Sequence, residues 1–193
     1  MRGTTRVVTA SVLVVVGLLL QVSALPELGW PKAGAGAVPG VVLLVVIATA
    51  IATDTRFATL TGFSAGLLLD VAPPADHVGG RWALALMTVG YVVGRLSHDD
   101  QPHSGAPRRP NLSLIAAAVL GGSFVASSIY ALTGLLLHDL ALSPGQVLKV
   151  ILVGLVWDLV GALFVLPASF WAYRRLGRPG RIRPGEPARV GLR

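Results

Sequence analysis

Hydrophobic positions along this chain form long blocks instead of short alternating runs. Six such blocks can be distinguished, each bounded by a turn signal or a polar segment, at about 7–25, 38–53, 57–71, 82–96, 112–137 and 147–172. Blocks of this kind are typical of membrane helices, since roughly 20 apolar residues are needed to cross the hydrocarbon core. The pattern predicts an all-α polytopic membrane protein. We expect one six-transmembrane-helix bundle over residues 1–173 and a basic, disordered tail over 174–193.

The spacing of basic residues between the blocks predicts the orientation. If the amino terminus is cytoplasmic, all but three of the 16 lysines and arginines lie on the cytoplasmic side or in the tail, the exceptions being Lys32, Arg81 and Lys149. Such a bias is typical of cytoplasmic segments. It predicts that both termini are cytoplasmic, which requires an even number of crossings.

The first block allows a second interpretation. Arg2 and Arg6 precede an apolar stretch, and Val22-Ser23-Ala24 has the small residues of a cleavage site, so the block also resembles a secretory signal peptide. We expect an uncleaved first helix. Cleavage would leave five spans with the remaining topology unchanged.

Composition agrees with the membrane class and narrows the chemistry. Hydrophobic residues make up 53% of the chain and charged residues 13%, about half of the roughly 25% found in soluble domains. Cysteine is absent, which excludes disulfides and thiolate sites. The basic tail is expected to anchor the topology and to attract anionic lipids. Nucleic-acid binding is not expected, because no aromatic residues are interleaved with the tail arginines.

The third block contains the most distinctive local pattern. Gly62 and Gly66 lie on one face of a helix, where missing side chains let a neighbouring backbone approach, either within the bundle or from a partner protein. Asp70 follows, and the double proline at 73–74 ends the helix. Three interpretations of Asp70 remain open: a carboxylate near the headgroups, a structural cap or pair with Arg81, and a ligand or proton site.

Asp158 is the most deeply placed charge in the sequence. With Gly154 and Ala162 it forms a stripe at i, i+4 and i+8, and such a stripe is expected to face other helices instead of lipid. The fifth block offers a matching small-residue stripe that includes Ala118 and Gly122, and we predict that the two stripes pack. Asp158 is then a polar clasp to a hydroxyl group or part of an ion or proton route.

No pattern of catalytic residues is present in the sequence. There is no serine elbow, phosphate-binding glycine loop or paired-carboxylate motif, and the four histidines have no metal-ligand spacing. The sequence therefore predicts neither an enzyme nor a bound cofactor or metal.

The segment Gly62-x-x-x-Gly66-Leu-Leu-Leu-Asp70-x(8)-Gly79, followed by an apolar helix that ends in Gly90-Tyr-Val-Val-Gly94-Arg95, resembles the MreD family. MreD proteins are rod-shape-determining proteins of the bacterial inner membrane. The resemblance is best over the second to fourth blocks and implies a fold akin to the substrate-binding subunits of energy-coupling-factor transporters. It also implies an MreC-like partner and, through it, the peptidoglycan polymerase and transpeptidase of the elongation complex. It supplies no catalytic residues.

The leading hypothesis is a non-enzymatic scaffold that docks an MreC-like partner through a small-residue helix face. The alternative is the substrate-binding subunit of a vitamin transporter. Those subunits carry an Ala-x-x-x-Ala pair in the first helix, whereas the first block here has alanine only at positions 10 and 24. A third hypothesis is a proton-coupled carrier that uses Asp158.

Overall fold

A computed structural model describes residues 3–24, 39–73, 79–98, 111–137 and 144–176. Within these ranges the chain is helical and contains no strand. The six helices, with a five-residue π-helical turn over Leu20–Ala24 that extends the first, are α1 Gly3–Leu19, α2 Val41–Ala52, α3 Thr55–Val71, α4 Arg81–His98, α5 Leu112–Leu136 and α6 Pro144–Leu176. Each helix overlaps one of the apolar blocks of the sequence.

Most helix boundaries differ from the expected spans by a few residues, and α6 differs at both ends. Helix α6 starts before the predicted block and continues to Leu176, beyond the residue at which the tail was expected to begin. The rest of the predicted tail, 177–193, lies outside the described residues, as does Lys32.

Three helical segments are long and apolar enough to cross a membrane. They are Gly3–Ser23, Leu112–Leu136 and Gly145–Leu176. Helix α2 is apolar but shorter. The protein is therefore a membrane protein with three candidate spans. The other three helices cannot be assigned as spans from length and composition alone.

One end of the helix bundle is defined by contacts among helix termini. Arg6 near the start of α1 donates to Asp54, which lies between α2 and α3, at 2.6 Å. The Thr49 hydroxyl near the end of α2 hydrogen-bonds the Tyr173 hydroxyl near the end of α6 at 2.8 Å. Gly94 near the end of α4 lies against Thr55. We call this end the basic end.

The opposite end is defined in the same way. Asp70 near the end of α3 accepts from the backbone of Gly80, just before α4, and Arg81 at the start of α4 donates to Tyr130 in α5. Gln21 at the end of α1 accepts from Val42 at the start of α2. Successive helices are therefore antiparallel.

Helix α2 is the centre of the bundle. Every residue from Val41 to Ala50 is buried, and α2 contacts all five other helices. Its 12 residues extend only about 18 Å, less than the hydrocarbon thickness. Because protein surrounds it, a short helix does not expose its unpaired backbone ends to lipid.

Local capping explains where α3 and α4 begin. The Asp54 side chain accepts a hydrogen bond from the Phe57 backbone N–H at 3.0 Å, which caps the first turn of α3. Gly80 has φ of 95° immediately before α4, a left-handed conformation that glycine adopts without the steric cost of a Cβ.

Candidate functional site

Glycines on both partners bring α3 and α4 into backbone contact. A Cβ on Gly62 would collide with the Leu86 carbonyl, and one on Gly66 would collide with the backbone of Ala83. On the other helix, a Cβ on Gly90 would lie 2.5 Å from the Ala58 carbonyl oxygen. Close backbone approach through small residues is the usual basis of strong helix pairing in membranes.

This arrangement corrects the expected docking role of Gly62 and Gly66. The face that they form is filled by α4 of the same chain, so it is not open to a partner protein. The role of Gly90 and Gly94 on the facing helix was not predicted from the sequence, although their four-residue spacing is the same as that of Gly62 and Gly66.

Asp70 binds the amino-terminal end of α4. The residue is only 6% exposed, and its carboxylate accepts from the backbone N–H groups of Gly80 at 2.9 Å and of Trp82 and Ala83 at 3.1 Å. These N–H groups have no partner inside the helix, and the helix dipole favours a negative charge there. Of the three interpretations of Asp70, the contacts are those of a structural cap.

Arg81 joins α4 to α5. Its side chain is buried, with the residue 3% exposed, and it donates to the Tyr130 carbonyl at 2.8 Å. The guanidinium also lies 3.9 Å from the centre of the Tyr130 ring, and the Trp82 ring packs on Tyr130 at 4.6 Å. Asp70 and Arg81 thus act on neighbouring helix pairs: the carboxylate on α3 with α4, the guanidinium on α4 with α5.

Asp158 lies at the amino-terminal end of α2. The residue is 6% exposed, and its Oδ1 atom accepts from the Gly40 backbone N–H at 2.7 Å. The predicted clasp to a hydroxyl group is therefore replaced by a bond to a backbone amide. Ser123 of α5 lies beside the carboxylate, but its buried hydroxyl has no partner with hydrogen-bond geometry among the described residues.

Gln21, in the turn that extends α1, supports the same helix end. Its side-chain oxygen accepts from the Val42 N–H at 3.0 Å, so α1 and α6 both contribute a side chain to the start of α2. A Cβ on Gly40 would lie 3.3 Å from the Asp158 carboxylate, a tight distance that favours glycine. Neither Gln21 nor Gly40 was predicted from the sequence. The pattern that could have indicated them is a polar residue and a glycine near the edges of two apolar blocks.

The predicted packing of two small-residue stripes is wrong in its details. A Cβ on Gly122 would meet Ile47 of α2 and Val89 of α4, so this glycine does not face α6. Gly154 has no atom near its Cβ position, whereas Ala118 and Ala162 are both buried in the common core. The close approach on α6 is at Gly161, where a Cβ would lie 2.8 Å from Pro39.

The basic end has its own polar cluster. Asp54 combines the Phe57 cap with the Arg6 ion pair, and Arg6 also lies over the Phe57 ring. The backbone N–H of Phe57 lowers the pKa of Asp54, an effect that partial burial opposes and the Arg6 guanidinium reinforces. This turn therefore holds α1 against the α2–α3 connection.

The three carboxylates in the part of the chain that the structure describes, Asp54, Asp70 and Asp158, therefore all bind helix amino termini. Among the described residues no group of three histidine, aspartate or glutamate side chains is placed to hold a metal ion. The arrangement positions helices relative to one another, and its chemistry is that of capping and packing. No protein-family model, curated protein or solved structure matches the chain.

Proposed function

We propose that this chain is a non-enzymatic scaffold of the bacterial cell-wall elongation complex. In this proposal it docks an MreC-like membrane protein and, through it, the peptidoglycan polymerase and transpeptidase, and so maintains cell shape. The observation that carries the proposal is the joint between α3 and α4. The residues on which the resemblance to MreD proteins rests, Gly62, Gly66 and Asp70, meet the facing helix together, as parts of one structural unit.

The proposal includes six crossings of the inner membrane with both termini in the cytoplasm. The antiparallel order of successive helices supports an even number of crossings. Helices α3 and α4 carry Asp70 and Arg81, which make them less apolar, but both charges are buried and bonded. Arginines Arg6, Arg56, Arg95, Arg174 and Arg175 belong to the basic end, which supports its placement in the cytoplasm.

The scaffold proposal is tested by depletion and by co-purification. Depletion of this chain in its native host should convert rod-shaped cells to round cells, because wall elongation would lose its organising membrane component. The chain should also co-purify with the host's MreC-like protein. Rod shape that persists after depletion, together with the absence of that protein from the purified chain, would contradict the proposal. A vitamin bound stoichiometrically to the natively purified chain would favour the transporter-subunit alternative.

Variants of Gly62 and Gly66 cannot serve as docking tests. Because their face is filled by α4, larger residues there should disturb the fold first. A docking variant must therefore be chosen on an outward-facing position and must keep the thermal stability of the wild-type protein.

A further inference from the structure

Positive charge is concentrated at the basic end, where the described residues include far more arginine than carboxylate. Asp54 is the carboxylate in the described part of this end, and it is bonded to Arg6. The opposite end differs, since Arg81 there is buried against Tyr130 close to the capping carboxylate Asp70. The arginines of the basic end are Arg6, Arg56, Arg95, Arg174 and Arg175.

The last turn of α6 combines this charge with an exposed aromatic ring. Trp171 is 58% exposed, and the Arg175 guanidinium lies 4.7 Å from the centre of its ring. Arg174 is exposed beside it. Tryptophan is enriched where the hydrocarbon core meets the headgroups, and an arginine stacked on it holds its charge at that level.

Apolar residues earlier on α6 indicate what surrounds this turn. Leu163 and Phe164 are largely exposed, as expected for side chains in contact with lipid tails. Arg174 comes ten residues after Phe164, roughly 15 Å along the helix, and such a position at the end of an apolar segment is where headgroups are expected. Phosphate oxygens are good acceptors for guanidinium donors.

We propose that the basic end is a binding surface for anionic phospholipids and that the last turn of α6, with Trp171, Arg174 and Arg175, is its principal contact. The apolar surface next to the arginines favours a lipid over a soluble anionic partner. This surface belongs to the folded helix, which includes the first three residues of the predicted tail, and is distinct from residues 177–193. The inference does not depend on the proposed scaffold function, because any protein with this surface would bind such lipids.

The test uses the purified full-length chain in mixed micelles of phosphatidylglycerol and phosphatidylcholine in equal amounts, with retained lipids counted by native mass spectrometry. The wild-type protein should retain more phosphatidylglycerol. The double variant Arg174→Gln/Arg175→Gln should lose that enrichment by roughly threefold or more, since each basic residue near an anionic surface adds a several-fold bias. The charge-preserving pair Arg174→Lys/Arg175→Lys should keep most of it.

A matched control comes from the other end of α6. Lys149→Gln removes one positive charge from an exposed position without disturbing the arginine–tryptophan pair, and it should lower the enrichment less than Arg175→Gln does. Equal retention of the two lipids by the wild-type protein would overturn the proposal. So would full enrichment in the double variant combined with its loss when Arg178, Arg181, Arg183, Arg189 and Arg193 are replaced by glutamine, because the tail would then be the site.

Discussion

Glycine and aspartate both act on the backbone in this bundle, glycine by letting backbones approach and aspartate by accepting from backbone N–H groups. Glycines on α3 and α4 let two backbones touch where any side chain would intervene. Aspartates bind free N–H groups at helix starts, which allows a carboxylate to be buried in an apolar protein. A buried carboxylate at such a position contributes to the fold, and no ligand is required to explain it.

Gly66→Ala should destabilise the protein by about 1–3 kcal/mol, the usual range for overpacking a tight core. The added methyl group would collide with the backbone of Ala83, which cannot rotate away as a side chain can. The control is Gly154→Ala, also within a helix but with open space at the Cβ position. That variant should be neutral or slightly stabilising, because alanine favours helix over glycine. Thermal unfolding in detergent measures both.

Asp70→Ala should weaken the start of α4 more than Asp70→Asn does. Alanine leaves three backbone N–H groups without their acceptor, and the loss of hydrogen bonds to a charged group costs about 1.5–3 kcal/mol. Asparagine keeps one oxygen acceptor and a similar shape. Hydrogen exchange at the amides of Trp82 and Ala83 should accelerate in the same order. Unchanged protection in Asp70→Ala would show that α4 does not depend on this cap.

The Asp54 turn should lose stability in acid. The folded-state pKa of Asp54 lies below its ordinary value of 3.8, so its stabilising effect is full above the unfolded-state pKa and disappears as pH falls through the folded-state pKa. Unfolding temperatures of the wild type and Asp54→Asn should therefore differ near neutral pH and converge below about pH 3.8. A constant difference over that range would exclude the carboxylate charge as the cause.

At the scale of elements, α2 is the helix on which the others are organised. It is too short to cross a membrane alone and almost wholly enclosed. Its amino-terminal end is held by Gln21 from α1 and Asp158 from α6. The start of α2 is thus held by side chains distant in sequence, and α1 and α6 both pack against α2.

A double-mutant cycle tests this shared role of α1 and α6. Asp158→Ala and Gln21→Leu should each speed hydrogen exchange in the first turn of α2, at Val41 and Val42. Because both residues bind the same helix end, we expect a coupling free energy of about 0.5 kcal/mol or more. The control pair is Asp158→Ala with Asp54→Asn, whose contacts lie at the opposite end of the bundle. Strict additivity in the first cycle would contradict the joint capping of α2.

The sequence predicted the helices better than their contacts. Apolar blocks place all six helices because burial in lipid or protein requires long hydrophobic runs. The Gly62–Gly66 face was predicted as a close-approach surface, either for a helix of the bundle or for a partner protein. The sequence did not show which, since Gly90 and Gly94 acquire their role only when α4 turns back along α3. Asp158 was predicted to face the bundle, either clasped to a hydroxyl group or on an ion or proton route. Its bond to Gly40 was not predicted, because a backbone N–H has no side-chain identity to read.

At the scale of the whole molecule, two features are those expected of a protein that crosses a membrane an even number of times. They are the antiparallel order of the helices and the concentration of arginine at one end. Three helical segments are apolar and long enough to be assigned as spans on their own. Helices α2, α3 and α4 fall short by length or charge, yet they lie between these spans in a continuous bundle. If they cross the membrane, their polar groups must be bonded inside the bundle, as Asp70 and Arg81 are.

Whether α3 and α4 cross the membrane can be measured by cysteine accessibility. The chain has no cysteine, so a membrane-impermeant maleimide can label only the single cysteine that is introduced. Gly79→Cys, Leu137→Cys and Gly145→Cys should be labelled in intact spheroplasts, whereas Thr4→Cys, Asn111→Cys and Leu176→Cys should be labelled only after lysis. Labelling of Gly79→Cys only after lysis, as expected for Asn111→Cys, would show that α3 and α4 do not cross the membrane and would contradict the proposal of six crossings.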